Sequence, residues 1–130
     1  MTHQVIHTEL SPAAIGTYSQ AIKTGNLVFI SGQIPLLPAT MELVSDNFEE
    51  QAFQAFSNLK AICEASGGTL ADAVKVNISM TDLSNFPLVN KVMEQFFHQP
   101  YPARAAVGVA QLPKGSQIEI EAILSLSVCR

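Results

Sequence analysis

A run of alternating residues near the end of the chain, positions 117–127, constrains the fold more than any other feature. Every second residue of this run is apolar, namely Ile118, Ile120, Ala122, Leu124 and Leu126. Successive side chains of a β-strand point to opposite faces of a sheet, so the pattern predicts a strand with one face in the core. Glu119 and Glu121 then belong to the face that the core does not cover.

Four other segments have the residue types of β-strands. Positions 74–81 alternate in the same way, and positions 103–110 form a further strand pattern before the last one. A continuous apolar run at positions 27–30 predicts a strand that is buried on both faces. A hairpin at positions 25–26, which are Gly and Asn, joins this run to a strand at positions 20–23.

Two helices are predicted between these strands. Asp46 and Glu49 resemble a capping box, and apolar residues of helical spacing follow until the glycines at positions 67–68. Ser84 is the expected N-cap of the second helix, and Pro100 ends it. Both helices are amphipathic, which indicates that each covers part of the sheet.

The order of elements is strands, helix, strand, helix and strands, which predicts a two-layer α+β domain with both helices on one face of a mixed sheet. The 130 residues contain no linker and no repeat, so we expect one domain over residues 1–130. Hydrophobic residues make up 48% of the chain and charged residues 14%, against about 25% charged in typical soluble domains. So little charge leaves apolar surface to cover, which predicts a homo-oligomer.

The charge distribution and the terminal sequences exclude several classes of function. The net charge is −4 and the basic residues are scattered singly, so a nucleic-acid surface is not expected. The first residues do not resemble a leader and no apolar stretch approaches about eighteen residues, so we expect a cytoplasmic protein that does not contact membranes. The three histidines, His3, His7 and His98, are dispersed along the chain. The two cysteines do not have the spacing of a metal site. We expect Cys63 to be buried and Cys129 to lie in a frayed end of the chain. No metal and no organic cofactor is expected.

Arg104 is the most informative charged residue. It alternates with alanines in the predicted strand 103–110, and we expect it beside Ala106 on the sheet face opposite the helices. A face of small side chains leaves room for a ligand. Two roles are open for the guanidinium: an ion pair with Glu119 or Glu121 across neighbouring strands, or a bidentate hydrogen bond to a substrate carboxylate.

Motifs distributed over essentially the whole chain resemble, in order and spacing, those of the RidA family, also called the YjgF family. They are PAAIG at 12–16, YSQ at 18–20, SGQIP at 31–35, NLKA at 58–61, YPARAA at 101–106 and IEIEAI at 118–123. The resemblance implies a chorismate-mutase-like fold and a homotrimer, with three pockets that lie between subunits.

The resemblance also assigns roles to individual residues. Arg104 corresponds to the residue that binds the substrate carboxylate, and Glu119 to the acidic residue near the attacking water. The residues expected to line the pocket are Tyr18, Ser31, Gly32, Phe86, Asn90 and Ala106. Because Ala106 stands where many members have cysteine, no thiol nucleophile is expected, and the backbone carbonyl of residue 106 is expected to help hold the water.

The function that the resemblance implies is that of a 2-iminobutanoate/2-iminopropanoate deaminase. Such an enzyme hydrolyses the reactive 2-enamine and 2-imine acids released by pyridoxal-phosphate enzymes, and yields 2-oxo acids and ammonia. Two alternatives stay open. One is a non-catalytic protein that senses small 2-oxo or amino acids in the same pocket. The other is an endoribonuclease or translation inhibitor, which the acidic charge disfavours.

Overall fold

A mixed sheet of six strands carries two helices in the computed structural model, which describes residues 3–127. Short 3₁₀ turns precede β4, α2 and β6. The elements, in chain order, are β1 (His3–Ile6), β2 (Ala21–Thr24), β3 (Leu27–Gln33), α1 (Phe48–Ala65), β4 (Ala73–Met80), α2 (Phe86–Phe96), β5 (Ala103–Gly108) and β6 (Ile118–Ser125).

The strands lie in the order β1-β2-β3-β6-β4-β5. All neighbouring pairs are antiparallel except β4 and β5, which are parallel and are connected through α2. A parallel pair needs a crossover connection, and a helix is its usual form. Strand β6 lies in the middle of the sheet, where it joins the N-terminal strands to β4.

The core lies between the helices and one face of the sheet. Helix α1 packs on β3 and β6, and α2 packs beside α1. Phe56 of α1 is fully buried and its ring lies 5.7 Å from that of Phe96 and 5.8 Å from that of Phe97. These aromatic contacts fix α2 relative to α1, and so fix the side chains that α2 directs towards β5.

The predicted two-layer α+β architecture with a mixed sheet is confirmed. The apolar residues of β6 are buried as expected, and the hairpin between β2 and β3 has the predicted two residues, with Gly25 at a φ of 60°. Cys63 is fully buried, as predicted, and burial followed by the charges of Asp72 and Glu64 raises the pKa of its thiol to about 12. Cys129 lies outside the described residues.

Other predictions about the elements were wrong. Strand β3 is not buried on both faces, because Leu27 and Phe29 are 37% and 45% exposed. The N-cap of α1 is Asn47, whose side chain accepts a hydrogen bond from the backbone N–H of Glu50, rather than Asp46. The N-cap of α2 is Asn85, one residue after the predicted Ser84, and strand β1 was not predicted at all.

No helix within residues 3–127 combines the length and the apolar character needed to cross a bilayer.

Replacement of Phe56 by Ala is expected to lower the free energy of unfolding by about 3–5 kcal/mol, because it removes a fully buried ring and leaves a cavity. Phe53→Ala provides the matched control, since the Phe53 ring also contacts Phe96, at 5.0 Å, but is 46% exposed. Its cost is expected to be about 1 kcal/mol. Urea denaturation at a fixed protein concentration measures both, and equal losses would contradict the proposed role of Phe56.

Candidate active site

Arg104 lies on the face of the sheet that carries the helices, so the prediction that it faces away from them was wrong. In the parallel ladder Arg104 is level with Val76, and Ala106 with Ile78, and both β4 residues are buried in the core. Paired residues of adjacent strands point to the same face. The sequence could not decide this, because the residues on both sides of Arg104 are equally small.

Three side chains of α2 hold the Arg104 guanidinium. Its Nη1 donates a hydrogen bond of 2.6 Å to Oδ1 of Asn90 and lies 3.5 Å from Sδ of Met93. Its Cζ lies 4.7 Å from the centre of the Phe86 ring, which is a cation–π contact. Positions 86, 90 and 93 follow the helical repeat and form one stripe, so Phe86 and Asn90 both contact the Arg104 guanidinium, although they line different cavities beside it.

Arg104 separates two cavities. The larger, of about 500 Å³, lies on the side of Asn90 and Met93 and extends to Glu94, Tyr101 and Pro102. The smaller, of about 370 Å³, is lined by Leu83, Phe86, Arg104 and Ala106. Met93, Leu83 and Tyr101 were not among the predicted site residues. Met93 has the spacing of a core residue and is indeed mostly buried, so the sequence pattern could not reveal its contact with Arg104.

Glu119 lies on the opposite face of the sheet from Arg104. It is level with Ser79 of β4 and alternates with the buried Ile118 and Ile120. Strand β4 separates it from β5, so the cross-strand ion pair, one of the two roles left open for Arg104, is absent from the described residues. Burial, and secondarily the charge of Glu121, raises the pKa of the Glu119 carboxyl above its ordinary value. The carboxylate therefore has an increased affinity for protons.

Gly32 allows Glu119 to adopt this position. The register between β3 and β6 shifts between Ile30 and Gln33, and Gly32 lies in that irregular stretch. A Cβ atom at position 32 would lie 2.5 Å from Oε2 of Glu119. Only glycine leaves the space that the carboxylate occupies. β-Bulges of this kind often redirect side chains beside functional sites.

The remaining predicted residues, Tyr18, Ser31 and Gly32, lie in or beside β3, where Gly32 meets Glu119, rather than near Arg104. Tyr18 and Gly32 line a third cavity, of about 380 Å³, together with Lys114 and other residues. Oγ of Ser31 donates a hydrogen bond of 2.6 Å to the carbonyl of Ser19, which ties β3 to the segment that contains Tyr18. One copy of the chain thus contains two separate groups of predicted site residues.

We refer to these groups as the arginine group (Phe86, Asn90, Arg104, Ala106) and the glutamate group (Tyr18, Ser31, Gly32, Glu119). Arg104 and Glu119 are separated by two strand spacings and three register positions, which is roughly 10 Å in each direction. The sheet itself lies between them. Within residues 3–127 no cluster of His, Cys, Asp and Glu side chains is arranged to hold a metal ion. The chemistry available is a fixed cation for an anion, and a carboxylate that accepts a proton.

Replacement of Glu119 by Gln is expected to change how stability depends on pH. The raised pKa means that the folded state favours the protonated carboxyl, so the free energy of unfolding of the wild type falls as pH rises from the unfolded pKa to the folded one. The Glu119→Gln variant lacks this fall and gains stability relative to the wild type at neutral pH. Urea denaturation between about pH 4 and pH 8 measures the difference.

Glu121→Gln is the companion variant, because it removes only the second cause of the shift. The pH-dependent fall is expected to become smaller in this variant but to persist. If the free energy of unfolding of Glu119→Gln depends on pH as that of the wild type does, the raised pKa of Glu119 is contradicted.

Comparison with known proteins identifies relatives that cover nearly the whole chain. A protein of Dermatophagoides farinae named 2-iminobutanoate/2-iminopropanoate deaminase is 49% identical over 121 residues, which is 93% of this chain and 94% of that protein. The crystal structure of RidA from an Antarctic Psychrobacter species is 58% identical, with a TM-score of 0.92, and the match covers 95% of this chain and 99% of that one. The structure of Escherichia coli TdcF with bound serine is 43% identical, with a TM-score of 0.91 and coverage of 95% and 99%.

The family model described as Endoribonuclease L-PSP matches residues 8–125, a range that includes every member of the arginine and glutamate groups. The resemblance to the RidA family is thereby confirmed, and the chain belongs to the Endoribonuclease L-PSP (RidA) family.

Proposed function

We propose that this protein is a deaminase that hydrolyses small 2-imino acids, such as 2-iminopropanoate and 2-iminobutanoate, to 2-oxo acids and ammonia in the cytoplasm. The observation that carries the proposal is the held guanidinium of Arg104. Asn90 and Met93 contact Nη1, and among the described residues the hydrogen bonds of the guanidinium involve Nη1 alone. The rest of the fork is available for a carboxylate, which it binds in a bidentate manner.

The comparisons support the same substrate class. The Dermatophagoides farinae relative is named for this activity, and the TdcF relative has bound serine, a small molecule with a 2-amino carboxylate group. A 2-imino acid has the same carboxylate in the same relation to the carbon that bears nitrogen.

We infer that the active site forms between two copies of the chain in a homotrimer. The arginine and glutamate groups lie on opposite faces of the sheet in one copy, so the Glu119 that completes the site comes from a neighbouring copy. Within residues 3–127 no helix covers the face that carries Glu119, and this face exposes apolar side chains, among them Val5, Leu27, Phe29 and Val107. Burial of that face against another copy supplies a driving force for association.

The proposed reaction is the addition of water to an imine. Arg104 binds the carboxylate, and Glu119 of the neighbouring copy takes a proton from a water molecule that attacks C2. The C=N double bond opens, the nitrogen gains protons, and the C–N bond breaks as the C2 carbonyl forms, so that ammonia leaves. The raised pKa of Glu119 suits it to accept the proton and to return it to the nitrogen.

The other members of the two groups have supporting roles in this proposal. Ala106 keeps the wall beside Arg104 small, and its carbonyl helps to hold the water. Tyr18, Ser31 and Gly32 close the site from the side of the neighbouring copy. The uncatalysed reaction is already fast in water. Orientation of the substrate, together with a rate increase of about 10²-fold to 10⁴-fold from proton transfer, is therefore sufficient, and neither a metal nor an organic cofactor is required.

Arg104→Lys is expected to reduce the acceleration of 2-oxo acid release by about 100-fold, because lysine cannot make two parallel hydrogen bonds to a carboxylate. The assay couples the protein to a dehydratase that generates 2-iminobutanoate and follows 2-oxobutanoate formation. Lys60→Arg, an exposed change on α1, controls for the exchange of one cation for another. Unchanged acceleration in Arg104→Lys would refute the carboxylate role.

The same assay separates the alternatives. A sensor would bind 2-oxobutanoate saturably with no acceleration, and this result would replace the deaminase proposal. Cleavage of RNA at the same protein concentration, lost in Arg104→Lys, would support the endoribonuclease alternative instead.

Complementation tests the shared site. Arg104→Lys and Glu119→Gln chains are each expected to have very little activity, but oligomers that contain both have some sites with a wild-type arginine group and a wild-type glutamate group. Random mixing of equal amounts, by unfolding and refolding together, should restore about a quarter of the wild-type activity. Variants refolded apart and mixed only for the assay provide the control. No recovery in the mixed oligomers would contradict a site formed between copies.

A further inference from the structure

Leu83 is an apolar side chain left in the open beside the Arg104 cavity. It is the first residue of the 3₁₀ turn Leu83–Asn85, directly before α2, and 49% of it is exposed. It lines the cavity of about 370 Å³ together with the ring of Phe86, the guanidinium of Arg104 and the methyl group of Ala106. Apart from the guanidinium, these walls are apolar.

The position of Leu83 is fixed from both sides. Asp82 caps the turn, since Oδ1 of Asp82 accepts hydrogen bonds from the backbone N–H of Ser84 at 2.9 Å and from its hydroxyl at 2.7 Å. On the other side, a Cβ atom at position 108 would lie 3.3 Å from both Cγ and Cδ1 of Leu83. Gly108 therefore lets the leucine lie against β5, at the end of the strand that carries Arg104.

Different walls of the cavity contact different parts of the substrate, namely its carboxylate and its side chain. Once a carboxylate is bound to Arg104, the adjacent C2 and its side chain must extend along the remaining walls. The Phe86 ring is already occupied by the guanidinium, at 4.7 Å. The surfaces left for the side chain of the substrate are Leu83 and Ala106.

We propose that Leu83 is a specificity-determining residue, which contacts the aliphatic side chain of the 2-imino acid and favours short unbranched chains. This inference rests on the proposed deaminase function. One methylene group in an apolar pocket changes kcat/KM by about 10-fold to 200-fold when it is fully enclosed, so a half-exposed contact is expected to give about fivefold. Leu83 then distinguishes an ethyl from a methyl side chain, and Gly108 sets how far the leucine projects into the cavity.

The test measures kcat/KM for 2-imino acids made in situ by an L-amino-acid oxidase with catalase, from alanine, 2-aminobutanoate, norvaline and leucine. Leu83→Ala is expected to lower the ratio of kcat/KM for the ethyl substrate to that for the methyl substrate about fivefold. The isobutyl substrate should gain, because the cavity is wider. Gly108→Ala should act oppositely, because its Cβ would lie 3.3 Å from Leu83 and the leucine must shift. A shift towards the cavity leaves less room for the isobutyl side chain.

Leu10→Ala is the matched control, since Leu10 is 75% exposed and lines none of the cavities described. Its ratio should equal that of the wild type. An unchanged ratio in Leu83→Ala, in a protein that accelerates the methyl substrate normally, overturns the inference and leaves the deaminase function intact.

A second measurement does not depend on turnover. Calorimetric titration with pyruvate, 2-oxobutanoate and 2-oxopentanoate should show the same order of preference in the wild type and its loss in Leu83→Ala. If the wild type accelerates the hydrolysis of none of these imines, the proposed deaminase function is wrong. The calorimetric titrations alone then test whether Leu83 determines specificity. A binding preference that Leu83→Ala does not alter overturns the inference in that case too.

Discussion

The pairing of β6 with both β3 and β4 is the interaction on which the rest of the structure depends. Without it, the N-terminal strands β1 to β3 have no strand pairing with the β4-α2-β5 unit, because within residues 3–127 β6 is the strand that pairs with both. One face of β6 supplies four core residues at positions 118, 120, 122 and 124. Its other face supplies Glu119, which lies against Gly32 of β3. The same strand therefore closes the core and builds the glutamate group.

Helix α2 holds the side chain of Arg104 in place, as β6 holds Glu119. A charge on the helix-bearing face is costly unless it is solvated or paired, and at the edge strand β5 the guanidinium is both exposed and held. Oδ1 of Asn90 satisfies one donor, and the Phe86 ring covers one face of the ion. The helix stands where it does because Phe96 and Phe97 pack on Phe56 of α1. The orientation of the cation is thus a consequence of aromatic packing.

The sequence predicted those parts of the fold in which a local residue pattern is compatible with a single secondary structure. The alternation in β6 and the helical spacing in α1 could each be read without knowledge of neighbours. The face of Arg104 could not, because alanines and glycine surround it in β5 and only pairing with Val76 of β4 fixes the face. The short strand β1 likewise has a weak pattern, since three of its four residues are exposed and it is stabilised by pairing with β2.

The candidate residues could be predicted by resemblance, but their division into two groups could not. That division follows from β4, which separates β5 from β6, and from the offset of three residues from Val76 to Ser79 along that strand. Three positions move from one face of a strand to the other. The residues paired with Val76 and Ser79, which are Arg104 and Glu119, must then point to opposite faces.

The separation of Arg104 from Glu119 has an electrostatic consequence. If the two faced each other within one copy, the ion pair would occupy the guanidinium and would lower the pKa of the carboxyl. On opposite faces, the guanidinium stays available for an external anion, and burial with Glu121 nearby raises the pKa of Glu119 instead. A cation free for an external anion and a carboxyl group with a raised pKa are the two properties that the proposed hydrolysis of an anionic imine uses. In the proposed homotrimer, association of copies joins them with a substrate between them, whereas the fold of a single copy keeps them from neutralising each other.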